Sequence, residues 1–505
     1  MNALPEVAHG YSAGRTTASQ AYRDAVLVPL FQGAKGHAGY YTRIDRAYAV
    51  MLIEQGILGA AEGARLLRGL ADIDQQDALD DRADAGPYED LFYLREAALH
   101  TVVDSDLAGR LHTGRSRNDI EATVFRLQLK DRLGQVLQAL QVCVDNIIEL
   151  AGRERGTLIL AYTHGQPAQP STYGHYLMAF AEVLLRDLAR LQAAYVDLDA
   201  CPLGAGAITT TGFPIDRERL AALLGFAQVQ DNAYGCIAAA DQFAAAQAAL
   251  QLLFISLGRW VQDMAFWTAF EVGQARASDG FVQISSIMPQ KRNPLAIEHM
   301  RVMASLGAGH CQTAIGALHN TPFADMVDAE GPTQTAGLAS FEMAMRLLPL
   351  LQAFVAELRI DAPRVRENID RSCAAMTELA DSLVRMEGLP FRTAHEIAAE
   401  LSLLLMQRGR GLGTLLGQEV AEAFARHAGR PAQLDADELQ RLCQPEHFIA
   451  VRDRTGGPGA HAIAASLARA RQACQRAADE QQHAASRHEA AAVLLAAAVQ
   501  RCLAG

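Results

Sequence analysis

NDIEATVFRLQLKDRLGQVLQALQVCVDNIIELAGR, residues 118–153, sets the frame for the whole chain. Leu133, Leu137, Leu140, Val144, Ile147 and Ala151 recur at steps of three and four, the spacing of one helix face. The spacing predicts a helix over 119–153, about 50 Å long at the standard rise. A stripe of that length needs partners of similar length, and the downstream sequence supplies them. A second helix is expected to open at Pro170–Ser171, with Ser171 as its cap and a stripe of Leu177, Phe180, Leu184, Leu188, Leu191 and Tyr195. Further helical patterns cover 234–275, 295–320 and 333–360. Five such segments make an elongated bundle, so the expected fold class is all-α.

On either side the pattern weakens. Residues 1–45 are glycine-rich and polar, so irregular structure is expected there, with helices beginning near Asp45. Residues 45–110 look helical, with breaks at Gly56 and at Asp84–Pro87. Beyond 360 the helices shorten, and an alanine-rich tail from about 460 is helical again. A chain of 505 residues is too long for one core. The expected spans are an N-terminal domain at 1–112, a central bundle at 113–362 and a C-terminal helical domain at 363–505. A helix of about 50 Å also exposes more apolar stripe than one chain can cover, which predicts a homo-oligomer.

Composition narrows the function. Aromatics are only 6 %, which favours helices over sheets. A net charge of −12 argues against a nucleic-acid surface. Eight cysteines form no CxxC pair and read as free thiols in a reducing compartment. MNALPEVAHGYSAGRTT at the start has no apolar signal segment, and the longest plain apolar run, AAVLLAAAV at 491–499, is too short to span a bilayer. A cytoplasmic protein with no membrane association is expected.

Three polar islands interrupt the apolar scaffold. HTGRSRND, 112–119, precedes the first long helix. Its Arg115 and Arg117 are fork-shaped donors suited to carboxylates, and its Asn118 and Asp119 could equally cap the helix. YTHGQPAQPSTYGHY, 162–176, reads as a loop carrying Thr163, His164 and Gln166, where the histidine is either a surface residue or an acid–base group. SSIMPQKRNP, 285–294, reads as a second loop holding Ser285, Ser286, Lys291 and Asn293 between two prolines. It is either a solvated turn or a lid with reactive groups. The chain has no GxGxxG, GxxxxGK[ST], HExxH or GxSxG, and no His/Cys/Asp cluster at metal spacing. Neither a cofactor nor a metal is expected. Cations and hydroxyls on loops suit anionic substrates and proton transfer.

In this order the motifs resemble the fumarase/aspartase superfamily, and within it the argininosuccinate lyase branch. HTGRSRND, YTHGQPAQP, PLGAGAITTTGFPIDRERLAALLGF (202–226), SSIMPQKRNP and MTELADSLVRMEGLPFRTAHEI (376–397) carry the resemblance. It covers about residues 45–470. It implies β-elimination of fumarate from a small anionic N-substituted aspartate, as in arginine biosynthesis. It implies Ser285 as the base, Lys291 as the charge that neutralises the aci-carboxylate, and His164 with its partner Glu298 on the leaving-group side. Ser116, Arg117, Asn118, Thr163, Gln166, Ser286 and Asn293 are implied as substrate contacts. It also implies three domains and a homotetramer with a twenty-helix core, whose shared active sites each draw on three subunits.

The sequence departs from the branch on the amine side. NTPFADMVDAEGP, 320–332, sets Val327 and Glu330 where Gln and Lys are expected. PLFQGAKGHAG, 29–39, lacks the expected Ser/Asp pair, and Phe92, Ile284 and Leu295 stand where His, Gly and Asp are usual. Two alternatives follow: a lyase for another aminopolycarboxylate, such as ethylenediamine-disuccinate, and a non-catalytic structural homologue. Adenylosuccinate lyase shares MPxKRNP, but HTGRSRND and FPIDRE point away from it.

Overall fold

The computed structural model describes residues 18–34, 36–75 and 84–504. Residues 1–17, part of the stretch expected to be irregular, lie outside it. Helix is expected from Asp45 but begins earlier, at Gln20, and runs with one π-helical turn to Gly33. A second segment spans Ala38–Glu54. Asp45 lies inside it and is buried, its carboxylate 2.8 Å from Arg115 and 3.6 Å from Arg95. That ion pair joins residues 70 apart, which no local pattern signals.

With 71 % of the chain helical, the all-α expectation holds. The five bundle helices are Arg117–Arg153, Tyr173–Leu198, Asp241–Thr268, Leu295–Ala317 and Thr335–Glu357. The stripe on the first helix is fully sequestered, with Leu133, Leu140 and Val144 at 0 % exposure. Each such side chain contributes roughly 1.5–3 kcal/mol relative to exposure. The segment expected over 234–275 is two helices, broken at Ala239–Ala240 after a short turn at Ala233–Ala238. The second helix starts two residues late. Thr172 is its cap, accepting from the His175 amide, while the Ser171 hydroxyl pairs with His175 Nδ1 at 2.9 Å. All eight cysteines are free.

The helices alternate in direction. The first and third begin together, where the Phe125 and Phe243 rings lie 5.2 Å apart. At the far end Tyr162 meets Phe266 at 5.0 Å. The fourth helix runs back, so Ala314 and Gly337 meet at Phe243, and the fifth returns to bring Phe354 against Phe281. One end of the bundle therefore holds residue 117 and the 318–334 connection. The other holds 154–172, 269–294 and the 359–360 strand that pairs with 275–276. Two of these helices, Asp241–Thr268 and Thr335–Glu357, are long and apolar enough to cross a membrane by length and composition. Their apolar windows are 50 % and 56 % buried among neighbours, as core helices are.

A second core joins residues 31–127 with 201–226, and a third lies within 373–448. The last helix, Ala460–Ala504, belongs to neither neighbour alone. Leu467 and Cys474 pack into the bundle, and Leu495 and Ala498 into the N-terminal core. Arg487 on this helix reaches Asp199 at 2.8 Å, and Asp199 also pairs with the buried Lys130 of the first bundle helix.

Candidate active site

The first island is a helix start held by one buried carboxylate. Ser116, not Asn118, is the cap, and Asp119 completes a capping box by accepting from the Ser116 amide at 2.9 Å. The other Asp119 oxygen accepts from the Gly204 and Gly206 amides at 2.8 and 2.9 Å. Burial lifts the Asp119 carboxyl to about 6, against those three amides and Arg115. The glycine-rich stretch 202–212 is thereby fixed to the island. A Cβ on Gly114 would lie 3.2 Å from Thr211 Cγ2, so the two segments are in contact there too. Within this loop Thr210 has φ +60°, a β-branched residue in the left-handed region. Such a conformation costs on the order of 1–3 kcal/mol.

The two arginines of the island differ in role. Arg115 is buried and consumed by Asp45, which removes it from carboxylate binding. Arg117 is partly exposed, 3.0 Å from Asp90 and 3.5 Å from Glu89, and lies over the Tyr93 ring. Asn118 donates to Asp325 Oδ2 at 2.7 Å and to the Ala207 carbonyl at 3.4 Å. Arg117, Asn118, Glu121, Asp325 and Glu330 line one cavity of about 50 Å³. Segment 320–332 thus meets the first island within the same chain. The helix Val28–Gly33 reaches this corner as well: a Cβ on Gly33 would sit 3.3 Å from the Pro332 carbonyl. Burial raises the Glu330 carboxyl, and Asp325, Asp90 and Glu89 add to the effect while Arg117 opposes it.

Sequence reasoning missed Glu121. It stands one helical turn after Arg117, on the same face, and that i, i+4 spacing was the available signal. Burial pushes its carboxyl up to about 8, Asp90 and Glu330 add, and the Tyr41 hydroxyl bonded to it and Arg117 oppose. A carboxyl raised from 4.5 to about 8 on folding gives stability that is fully present below pH 4.5 and lost as pH rises through 8. Glu121→Gln is therefore expected to flatten the fall in Tm between about pH 5 and pH 9. Thermal unfolding of both proteins across that range checks it, and parallel curves would show that Glu121 is charged throughout.

The second island is not a loop. Leu158–Thr163 and Gln166–Thr172 form an antiparallel hairpin, with Thr163 paired to Gln166. His164 and Gly165 make the tip with φ +55° and +73°, the signature of a type I′ turn. Thr163, His164 and Gln166 are all exposed. Pro167 and Pro170 masked the strand pattern, yet both strands of a two-stranded ribbon are edges, where proline is tolerated.

The third island is also a hairpin. Gln283–Ile284 pairs with Arg292–Asn293, and residues 285–291 form the loop between them. The Ser285 hydroxyl accepts from the Met288 amide at 3.1 Å and the Ile287 amide at 3.4 Å. The Lys291 amide donates to the Met288 carbonyl at 3.0 Å. Lys291 lines a cleft of about 730 Å³ with Arg276, Arg292 and Arg364, and Asp361 is the one carboxylate among its lining residues. Ser286 and Glu298 are exposed and Asn293 is half-buried. Among the described residues no hydrogen bond joins His164 to Glu298.

Two of the islands thus share one end of the bundle and the first lies at the other. Helix Arg117–Arg153, 37 residues long, separates the first island from the rest by about 55 Å.

These features have known counterparts. A family model described as "Lyase" matches residues 90–306, and one described as "Argininosuccinate lyase C-terminal" matches residues 373–450. Over 438 residues the chain is 49 % identical to argininosuccinate lyase 2 of Agrobacterium fabrum (strain C58), covering 86 % of this chain and 87 % of that one. The chain belongs to the argininosuccinate lyase family. It is accordingly a carbon–nitrogen lyase. Argininosuccinate lyase of Methanoculleus marisnigri is 35 % identical over 436 residues, covering 85 % and 86 % of the two chains. Among solved structures, EDDS lyase in complex with formate matches with a TM-score of 0.83 and 29 % identity over 97 % of each chain. Class II fumarase from Schistosoma mansoni, at 14 % identity and a TM-score of 0.66, shares the fold over 83 % of this chain and 90 % of that one.

Proposed function

We propose that the chain eliminates fumarate from argininosuccinate or a near relative in a homotetramer, with Ser285 as the base. The observation that carries this is the pair of backbone N–H groups on the Ser285 oxygen. A serine hydroxyl is a poor base, but two amide donors favour its alkoxide over its neutral form, and Lys291 on the same loop adds positive charge. The alkoxide removes a proton from the carbon beside a carboxylate. The electron pair moves into that carboxylate, where Lys291 balances the developing charge. The pair then returns to form the fumarate double bond as the C–N bond breaks, and the leaving nitrogen takes a proton from His164. Ser116, Arg117, Asn118, Thr163, Gln166, Ser286 and Asn293 hold the succinyl half, and Glu298 holds the His164 ring. The domain spans 1–112, 113–362 and 363–505 go with this reading, the last helix bridging the first two.

Each site then needs more than one subunit. A separation of about 55 Å within the chain cannot close on a four-carbon acid, so the first island of one subunit serves loops of others. In the 730 Å³ cleft Arg292 and Arg364 are paired with Asp279 and Glu367, which among the described residues leaves Lys291 and Arg276 as the cations that suit the carboxylates of the substrate.

A second reading concerns the amine half alone. Val327 offers no side-chain hydrogen bond, and Glu330 adds negative charge beside Arg117 and Asn118. A site lacking a needed partner discriminates strongly against a polar ligand. That favours an N-substituted aspartate whose amine half carries positive charge and no matching carboxylate. The discriminating measurement is kcat/KM for argininosuccinate against N-(2-aminoethyl)aspartate, whose amine half is cationic and carries no carboxylate, followed by fumarate absorbance. Under the second reading argininosuccinate is the poorer substrate. A value for it above about 10⁴ M⁻¹s⁻¹ would leave the family reaction standing unaltered.

A further inference from the structure

We propose that Thr210 is a substrate-binding residue, its hydroxyl serving the same succinyl carboxylate as Ser116 and Asn118. The inference rests on the reading that the first island binds the succinyl half. Thr210 occupies a left-handed conformation at φ +60°, which glycine adopts at no steric cost. The turn itself does not use the threonine side chain. It is closed by the backbone, with the Thr210 amide donating to the Ala205 carbonyl at 2.7 Å. The neighbouring Thr211 hydroxyl has a structural task, accepting from the Phe213 amide at 3.3 Å. The Thr210 hydroxyl has no hydrogen-bond partner among the described residues, and the residue is exposed.

The backbone leading to Thr210 is anchored on the island. Asp119 grips the Gly204 and Gly206 amides, and the Ala207 carbonyl accepts from Asn118. Gly206 lies so close that a Cβ there would sit 3.0 Å from the Thr210 carbonyl oxygen, which sets the direction of the tip. A hydroxyl donor is thus held on a stem whose Gly204, Gly206 and Ala207 are bonded to Asp119 and Asn118, with the adjacent Thr211 side chain against Gly114. A hydroxyl beside a carboxylate donates a charge-assisted hydrogen bond, which is where a strained threonine gains over an unstrained glycine.

Three variants separate the hydroxyl from the strain. Thr210→Val keeps the branched shape and loses the hydroxyl. Thr210→Ser keeps the hydroxyl. Thr210→Gly removes both hydroxyl and strain. The readouts are KM for argininosuccinate, Ki for fumarate and Tm of the intact assembly. Expected are rises of about tenfold in KM and Ki for the valine and glycine variants, with kcat changed less. The serine variant should stay within about threefold of wild type, and only the glycine variant should gain in Tm. Thr210→Val or Thr210→Gly with unchanged KM and Ki overturns the proposal. Asn118→Ala is the control for the island. If it raises Ki while Thr210→Val does not, the island reading stands and Thr210 is structural. If neither moves Ki, both fall together.

Discussion

Ser285→Ala is expected to leave the fold and the assembly intact and to lower kcat by roughly 10²–10⁴-fold, the usual contribution of a positioned acid or base. The fold should survive because, among the described residues, the hydroxyl bonds only to amides of its own loop, those of Ile287 and Met288. Loss of these two acceptor contacts loosens residues 285–288 without uncovering any core. The KM should change little, because the succinyl half is held by other groups. Fumarate absorbance at saturating substrate measures the effect, with size-exclusion chromatography as the check on assembly. A variant that keeps more than about a tenth of the rate has lost only ~1.4 kcal/mol of transition-state stabilisation. That is too little for the loss of the base, and the role would pass to another group.

Mixing two nearly inactive variants is expected to restore activity. Ser285→Ala disables the loop at one end of the bundle, and Asn118→Asp sets a like charge against the substrate carboxylate at the other. The two positions lie at opposite ends of helix Arg117–Arg153 and cannot meet in one chain. In tetramers randomly exchanged from equal amounts, roughly a quarter of sites draw Ser285 and Asn118 each from a subunit that keeps that residue. Activity should therefore climb from near zero to about that fraction of wild type. Subunit exchange is confirmed beforehand by mass-tagged chains. Confirmed exchange without recovery would place each complete site inside one subunit and remove the case for shared sites.

The long helices were legible because burial on one face forces a period of 3.6, and the six positions Leu133 to Ala151 are buried as that period requires. The ends of the helices were less so. Ser171 and Thr172 are both good caps, and the backbone turn decided between them. The site islands were visible as polar breaks in an apolar chain, but their form was not. Strands of two, six and seven residues, one of them carrying two prolines, lack the alternation that marks a strand. Contacts between distant segments left no local trace. Asp45 with Arg115, Asn118 with Asp325, and Glu121 with Tyr41 each depend on the tertiary fold. The same holds for the left-handed Thr210, since threonine in TTTG predicts no such conformation.

The last helix bears on how the chain folds. Leu495 and Ala498 complete a core that starts at Phe31, and Leu467 and Cys474 complete the bundle begun at Arg117. Lys130 and Asp199, buried together, also wait for Arg487. During synthesis at roughly 5–20 residues per second, the N-terminal core stays open until residue 498 has emerged. Its apolar face is uncovered for tens of seconds by that rate, the interval in which chaperones act. The C-terminal unit at 373–448 builds its core without the last helix and has no such dependence.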